Sequence, residues 1–245
     1  MRAFAVAVAC VSASAAAAPR RAQSGAETAA LVELYTSEGC SSCPPADRWL
    51  SESLPRAGVV PLALHVDYWD SIGWPDAFAQ PRFGERQSRA AARAHASVYT
   101  PALVIAGRVV PERSDAPDAI RRARQAPPRA AITVEAEARA SGVALRAQAV
   151  VPAAADRAHA ALYVALYQSG VEVDVRAGEN RGRRLRHDFV VREWLGPFPV
   201  DAAGLAAFER ALDLPRGADP ASLGVAAFVE DRATGDVLQA LSLAL

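Results

Sequence analysis

The sequence of 245 residues predicts an α/β domain over residues 28–126, followed by an all-β, sandwich-like domain over residues 129–245. Two observations support this division. As far as Gln125, short apolar runs alternate with amphipathic stretches of helical length, which indicates strands that alternate with helices. Beyond Pro127-Pro128 the apolar runs are short and separated by turn residues, a pattern that is typical of antiparallel sheets.

Six elements of the first domain are predicted in the order strand, helix, strand, helix, hairpin, helix. They are residues 30–35, 45–54, 59–66, 81–95, 102–110 and 114–125. The hairpin is expected to turn at Gly107-Arg108, two residues that separate two apolar runs. A βαβ unit followed by a helix, a hairpin and a helix is the minimal thioredoxin arrangement. The order of elements therefore predicts a thioredoxin-like domain.

The second domain is predicted from six short strands with turn residues between them. These strands are residues 132–135, 143–146, 160–166, 189–191, 225–229 and 237–243. Residues 205–212 are predicted as a helical connection. Strands of this number and spacing indicate a β-sandwich.

Composition excludes several classes of partner. The 27 basic and 27 acidic residues balance, so neither nucleic acid nor an acidic membrane surface is expected to bind. Beyond the N-terminus, no stretch approaches the roughly 20 apolar residues of a membrane span. The sequence contains no Gly-rich phosphate loop, and no cofactor is expected.

The N-terminus predicts secretion. Met1-Arg2 precedes a short apolar core and a run of Ala and Ser, the pattern of a signal peptide over residues 1–18. Cys10 within it is an alternative site for lipid anchoring. Removal of the signal peptide leaves Cys40 and Cys43 as the remaining thiols of a periplasmic or secreted protein, and such compartments favour disulfides.

Cys40 and Cys43 are the strongest candidate site. Two sulfurs three residues apart on a helix share one face, a spacing used for disulfide exchange or metal binding. The predicted elements place Cys40 at a helix N-terminus, where unpaired N–H groups stabilise a thiolate. In that geometry Cys40 is an exposed attacking thiol. The more buried Cys43 resolves the mixed disulfide with a protein substrate or redox partner.

Further residues are candidates for binding that substrate. Thr100-Pro101 stands directly before a strand, and the proline resembles the cis-proline that thioredoxin-like proteins place against their cysteine pair. The backbone of Thr100 would then pair with an incoming peptide. Tyr68, Trp69 and Trp74 follow the second strand and are expected at the same edge of the sheet as the cysteines. They either wall a substrate groove or, equally, cap the core.

Three motifs together resemble an uncharacterised family of secreted bacterial proteins, domain of unknown function 1223, which carries a thioredoxin-like half. The motifs are residues 32–47, 64–70 and 98–101, and the resemblance continues near residues 178–188 and 235–241. It implies a secreted location and a candidate Cys40/Cys43 redox pair. Glu33 resembles the buried acid that tunes the resolving cysteine of thioredoxins, which implies proton transfer; otherwise Glu33 is an exposed strand carboxylate.

Two other interpretations stay open. In the first, the cysteines form a structural disulfide in a non-enzymatic interaction module, although so small a loop gains little stability from closure. In the second, they supply half of a zinc or copper site that histidines complete. The histidines available are His65, His95, His159 and His187. None of them forms a pair at ligand spacing, so the preferred expectation is no metal. His187-Asp188 is a weaker candidate site in the second domain.

Overall fold

The computed structural model describes residues 18–54, 58–139, 142–215 and 217–245. Apart from Ala18, the predicted signal peptide, including Cys10, lies outside these ranges. The helices are α1 (Pro44–Glu52), α2 (Pro81–Arg93) and α3 (Ala116–Gln125). The strands are β1 (Arg20–Gln23), β2 (Ala30–Thr36), β3 (Val59–His65), β4 (Ala102–Ile105), β5 (Arg108–Val110), β6 (Ala131–Arg139), β7 (Gly142–Val150), β8 (Ala160–Gln168), β9 (Val171–Asp174), β10 (Arg184–His187), β11 (Val190–Pro199), β12 (Leu205–Asp213), β13 (Leu223–Asp231) and β14 (Val237–Ala244).

Eight of these strands form one mixed sheet in the order β14-β13-β8-β11-β3-β2-β4-β5. Strands from both halves of the chain join in it, because β3 pairs in parallel with β11. A second sheet contains β1, β6, β7 and β12, and a third contains β9 and β10. Strands make up 43% of the described residues, and helices, including short 3-10 turns, make up 20%. The predicted fold class, an α/β thioredoxin-like domain followed by an all-β sandwich-like domain, is therefore wrong, and the protein is mostly β.

Individual elements up to Gln125 follow the predicted order, with β2, α1, β3, α2, β4, β5 and α3 in succession. The hairpin turn lies at Ala106-Gly107, one residue earlier than predicted. Both residues have positive φ (49° and 83°), as a type I′ turn requires. Residues 205–212 are not helical. They lie in β12, where the side chains of Ala206 and Phe208 are buried with a two-residue period.

Three apolar clusters hold the layers together. Phe83 and Ala90 of α2 pack on one face of the large sheet, beside Leu31 of β2. On the opposite face, Val32 and Leu34 pack against α1 and α3. Farther along that face, the second sheet covers β8, β13 and β14. The parallel strands β2 and β3 end at a common edge, and the candidate site lies there.

Within the described ranges, no helix has the length and apolar character to span a bilayer.

Candidate functional site

Cys40 and Cys43 form the predicted disulfide, with Cα atoms 5.4 Å apart. They lie in the turn that leads from β2 into α1. Cys43 is the N-cap of α1, and Pro44 is its first residue, where a proline sacrifices no hydrogen bond. The disulfide therefore sits at the positive end of the helix dipole, which favours a thiolate after reduction.

The disulfide is covered by the loop that joins β9 to β10, residues 175–183, here called the covering loop. Two backbone hydrogen bonds made by Val175 close this loop at its base. Cys40 and Cys43 are both 0% exposed. The prediction of an exposed Cys40 sulfur is therefore wrong, because a segment more than 130 residues away along the chain packs over it.

Three hydrogen bonds attach the covering loop to the disulfide turn. The buried side-chain amide of Asn180 donates to the carbonyl oxygens of Glu38 (2.8 Å) and Cys40 (2.9 Å). The carboxylate of Glu179 accepts from the backbone N–H of Ser41 at 3.0 Å. These contacts fix the backbone on both sides of Cys40.

Five ionisable side chains, here called the buried ionisable cluster, lie at this edge: Glu38, Asp47, His65, Asp76 and His187. His65 ends β3, and its Nδ1 lies 2.7 Å from Oδ2 of Asp76. His187 ends β10, and its ring centre lies 5.0 Å from that of His65. The imidazole nitrogens of His187 lie 3.7 Å from Glu38 and 3.9 Å from Asp47. Two strand ends and α1 thus bring acids and imidazoles together.

The cluster is adjacent to both cysteines. Glu38 precedes Cys40 by two residues, and its carbonyl shares the Asn180 amide with the carbonyl of Cys40. Asp47 lies one helical turn after Cys43, and its backbone N–H donates to the Cys43 carbonyl at 3.1 Å. Each cysteine therefore has a buried acid within four residues along the chain, available to exchange a proton with its thiol.

Burial controls the ionisation of the cluster. Burial, followed by the negative charge of Asp76, raises the pKa of Glu38 to about 7. Burial also raises the pKa of Asp47 to about 6. Burial, followed by the charge of His65, lowers the pKa of His187 to about 3, so this imidazole is neutral. Burial opposes the charge on His65, but its contact with Asp76 and the other acids outweighs burial and raises the pKa.

Several buried polar atoms of this region have no hydrogen-bond partner among the described residues. They are Oγ1 of Thr36, Oε1 of Glu38, Oδ1 of Asp47, Nε2 of His65 and both ring nitrogens of His187. A buried polar atom without a partner is costly, so such atoms are rare in native structures. The carboxylate oxygens and imidazole nitrogens among them can gain or release a proton without breaking a hydrogen bond of the fold.

The predicted substrate-binding residues meet at the same edge. The Thr100–Pro101 peptide bond is cis, as the sequence predicts. Nε1 of Trp69 donates to Oγ1 of Thr100 at 2.7 Å. Nε1 of Trp74 donates to Oε2 of Glu38 at 2.6 Å. Trp69 thus links the segment before β4 to this edge, while Trp74 belongs to the surroundings of the buried ionisable cluster.

Tyr68 and Trp69 differ in exposure. Tyr68 is 42% exposed, and its hydroxyl donates to Oε1 of Gln87 at 3.1 Å. Trp69 is half-buried and packs against the disulfide turn at Gly39. A Cβ at Gly39 would approach Cβ of Trp69 to 3.2 Å, so the glycine permits this close packing. Of the three predicted aromatic residues, Tyr68 is the one most available to a partner.

Glu33 does not lie with the cysteines, so its predicted role in proton transfer is wrong. Side chains alternate along β2, and Glu33 shares the α2-facing side with Leu31 and Tyr35, opposite α1. Its carboxylate pairs with Arg86 at 2.5 Å. Arg86 also pairs with Glu230 at 2.6 Å. The carboxylate of Glu33 is therefore held in a separate buried ion-pair network.

The sequence-based predictions gave no role to Glu38, Asp47 or Asp76, and they treated His65 and His187 mainly as candidate ligands. One signal was available for Glu38 and His65, because both stand just at or after the ends of two parallel strands. No local sequence pattern predicted that His187 would lie at this edge. In the part of the chain that the structure describes, no group of three Cys, His, Asp or Glu side chains is arranged to hold a metal ion.

The fold and site define a mostly β protein that carries a covered Cys-x-x-Cys disulfide at a helix N-terminus. The chain belongs to the family described as protein of unknown function (DUF1223), which matches residues 31–230. This confirms the resemblance inferred from the motifs. No curated protein matches the chain.

Two solved structures are similar to this protein. Protein AGR_C_4864 from Agrobacterium tumefaciens has a TM-score of 0.60 at 27% sequence identity, over 88% of this chain and 93% of that one. HBP35 of Porphyromonas gingivalis has a TM-score of 0.66 at 14% identity, over 91% of this chain and 76% of that one. The second similarity concerns the fold alone.

Proposed function

We propose that this protein is a periplasmic or secreted thiol-disulfide oxidoreductase that exchanges electrons with a protein substrate or redox partner through Cys40 and Cys43. The observation that carries the proposal is the Cys40–Cys43 disulfide at the N-terminus of α1. A helix N-terminus stabilises a thiolate and so promotes exchange. The location rests on the signal-peptide pattern of residues 1–18.

The exchange proceeds in two balanced steps. In the reduced protein the Cys40 thiolate attacks a substrate disulfide, forms a mixed disulfide and releases one substrate thiolate. The Cys43 thiolate then attacks the Cys40 sulfur, closes the Cys40–Cys43 disulfide and releases the second substrate thiolate. Two electrons pass to the substrate, and the two thiol protons end on the substrate sulfurs. The reverse sequence oxidises a substrate dithiol.

The buried ionisable cluster supplies the proton acceptor that Cys43 needs in the second step. Asp47 lies one turn after Cys43, and Glu38 lies two residues before Cys40. Burial raises the pKa of Asp47 to about 6 and, with the charge of Asp76, that of Glu38 to about 7. Acids with pKa values in this range exchange protons readily near neutral pH. Their unpartnered oxygens support this role.

Reaction with a protein requires the covering loop to move, because both sulfurs are buried beneath it. The loop is suited to such movement. In the described residues, β9 and β10 pair with each other and with no further strand. Side-chain hydrogen bonds of Asn180 and Glu179 attach the loop to the disulfide turn. Opening then exposes Cys40 next to Trp69, Thr100 and Pro101, where an extended substrate segment binds.

A second candidate function is favoured by the same burial. A disulfide that is 0% exposed at both cysteines is typical of a structural bond in an interaction module. Against it, closure of so small a loop stabilises a protein little. The two functions differ in whether the disulfide is reduced and re-formed. Thiol-disulfide exchange requires the reduced cysteines, whereas a structural disulfide stays oxidised.

Trapping of a mixed disulfide tests the proposed function. The Cys43→Ser variant, expressed in the native host, should retain a partner on Cys40 as a complex that dithiothreitol releases. Cys40→Ser is the matched control and should retain less of the same partner, because it lacks the attacking sulfur. Absence of any complex with Cys43→Ser in repeated trials, or equal complexes with both variants, would contradict the proposal.

A further inference from the structure

We infer that a cavity between α2 and strands β8 and β11 of the large sheet binds a small organic anion, a phosphate or carboxylate group on an aromatic body. The cavity has a volume of about 380 Å³, within the range of small-molecule sites. It lies on the face of the large sheet opposite α1 and the disulfide. The site is therefore independent of the proposed thiol chemistry.

Four arginines of α2 line this cavity: Arg82, Arg86, Arg89 and Arg93. Their spacing of four, three and four residues places them on one face of the helix. Arg232, which follows β13, adds a fifth guanidinium. Because arginine donors form paired hydrogen bonds to carboxylate and phosphate oxygens, a cavity lined by five of them selects an anion.

Part of this positive charge is not neutralised within the described residues, because five arginines face only Glu85, Glu230 and, through Arg86, Glu33. Glu85 and Glu230 are the acidic residues that line the cavity. Arg89 approaches Glu85 only to 3.9 Å, and both side chains are exposed, so this contact is weak. Arg82, Arg93 and Arg232 have no carboxylate within 4.0 Å among the described residues; Arg82 donates instead to the carbonyl of Trp194 at 2.8 Å. The cavity thus carries excess positive charge in a chain whose net charge is zero.

Arg86 gives the cavity a rigid floor. It is buried, and it pairs with Glu33 at 2.5 Å and with Glu230 at 2.6 Å. Nε and Nη2 donate to Glu33, and Nη2 also donates to Glu230, so Nη1 is the donor that remains for a ligand. A side chain held by two carboxylates keeps its orientation in the absence of a ligand, which lowers the entropy cost of binding.

Aromatic rings explain the organic part of the ligand. Trp194 and Tyr163 line the cavity. The guanidinium carbon of Arg86 lies 5.0 Å from the ring centre of Trp194 and 5.6 Å from that of Tyr163. Trp194 and Tyr163 are each 8% exposed, and a planar apolar body would contact that exposed part as well as the arginines, which inorganic phosphate would contact alone.

Calorimetric titration of the full-length oxidised protein with phenyl phosphate at low salt tests this inference. One molecule should bind per chain, and inorganic phosphate and phenol should each bind at least tenfold more weakly. Benzoate, which joins a carboxylate to the same ring, should also bind. Absence of saturable binding of both phenyl phosphate and benzoate would overturn the inference.

Two double variants test whether phenyl phosphate binds in this cavity. Arg89→Ala with Arg93→Ala removes two exposed guanidiniums of the cavity and should weaken phenyl phosphate binding at least tenfold. Arg113→Ala with Arg122→Ala removes two exposed arginines near α3 and should change it less than twofold. Equal losses in both double variants would show nonspecific charge attraction and overturn the assignment. Binding to vesicles of an anionic phospholipid without binding of phenyl phosphate would also overturn it, because the ligand would then be a membrane.

Discussion

The side-chain amide of Asn180 donates a hydrogen bond to the carbonyl oxygen of Cys40 at 2.9 Å, across 140 residues of sequence. The same amide group binds the carbonyl of Glu38, so one buried side chain joins the covering loop to the backbone of the disulfide turn and of the buried ionisable cluster. Access to the disulfide therefore depends on an element from the second half of the chain.

Removal of this contact should make the disulfide easier to reduce. Asn180→Ala deletes two buried hydrogen bonds, each with a net contribution of about 1 kcal/mol. If the covering loop must open before reduction, the loss raises the population of the open state roughly tenfold to thirtyfold. The rate of reduction by dithiothreitol, followed by thiol labelling under native conditions, should rise by a similar factor.

Arg176→Ala is the control for this measurement, since Arg176 is an exposed residue of the same loop. Its reduction rate should stay within about twofold of that of the parent protein. Equal rates for Asn180→Ala and the parent protein would show that the covering loop does not limit access to the sulfurs.

Glu38 should make the protein less stable as the pH rises. Its pKa is raised from 4.5 to about 7 by burial and the charge of Asp76, so between these values the folded state binds more protons than the unfolded state. The free energy of unfolding therefore falls across this window. Glu38→Gln cannot ionise and should gain about 3 kcal/mol relative to the parent protein between pH 4 and pH 8.

Urea unfolding at a series of pH values gives this difference directly. Glu52→Gln, which changes an exposed glutamate of α1, is the matched control and should follow the parent protein throughout. A difference between Glu38→Gln and the parent protein that stays constant from pH 4 to pH 8 would refute the raised pKa of Glu38.

Arg86 should be essential for stability. Arg86→Met would leave Glu33 and Glu230 buried without a counter-charge, and loss of one partner of such a network costs about 3–5 kcal/mol. The exposed control Arg122→Ala should change the free energy of unfolding by no more than about 0.5 kcal/mol. Addition of Glu33→Gln and Glu230→Gln to Arg86→Met should restore part of the loss. If Arg86→Met is as stable as the control, the network contributes no net stability.

The sequence was sufficient to predict local features. The cysteine pair, the Thr100–Pro101 site and the order of elements from Ala30 to Gln125 depend on short-range patterns of apolar residues, glycine and proline. The fold class was wrong because the pairing of β3 with β11 brings together strands that are far apart in the chain. Periodicity shows which residues form a strand and gives no information about a distant neighbour.

Two errors at the site have different causes. The exposure of Cys40 could not be judged from sequence, because Asn180 reaches it from a distant loop. The role assigned to Glu33 could have been questioned, since the two-residue period of a strand puts Glu33 and Tyr35 together on one face. Thr36 lies on the other face, with α1.

The reduction potential of the Cys40–Cys43 pair distinguishes a disulfide that exchanges electrons with a partner from a structural one. The oxidised and reduced proteins are equilibrated in glutathione buffers of known ratio, and the fraction of disulfide is measured after acid quenching. A pair that exchanges disulfides should have a potential between about −120 and −270 mV, the range of thiol-disulfide exchange proteins. A potential below about −300 mV, which is typical of structural disulfides, would contradict the proposed exchange.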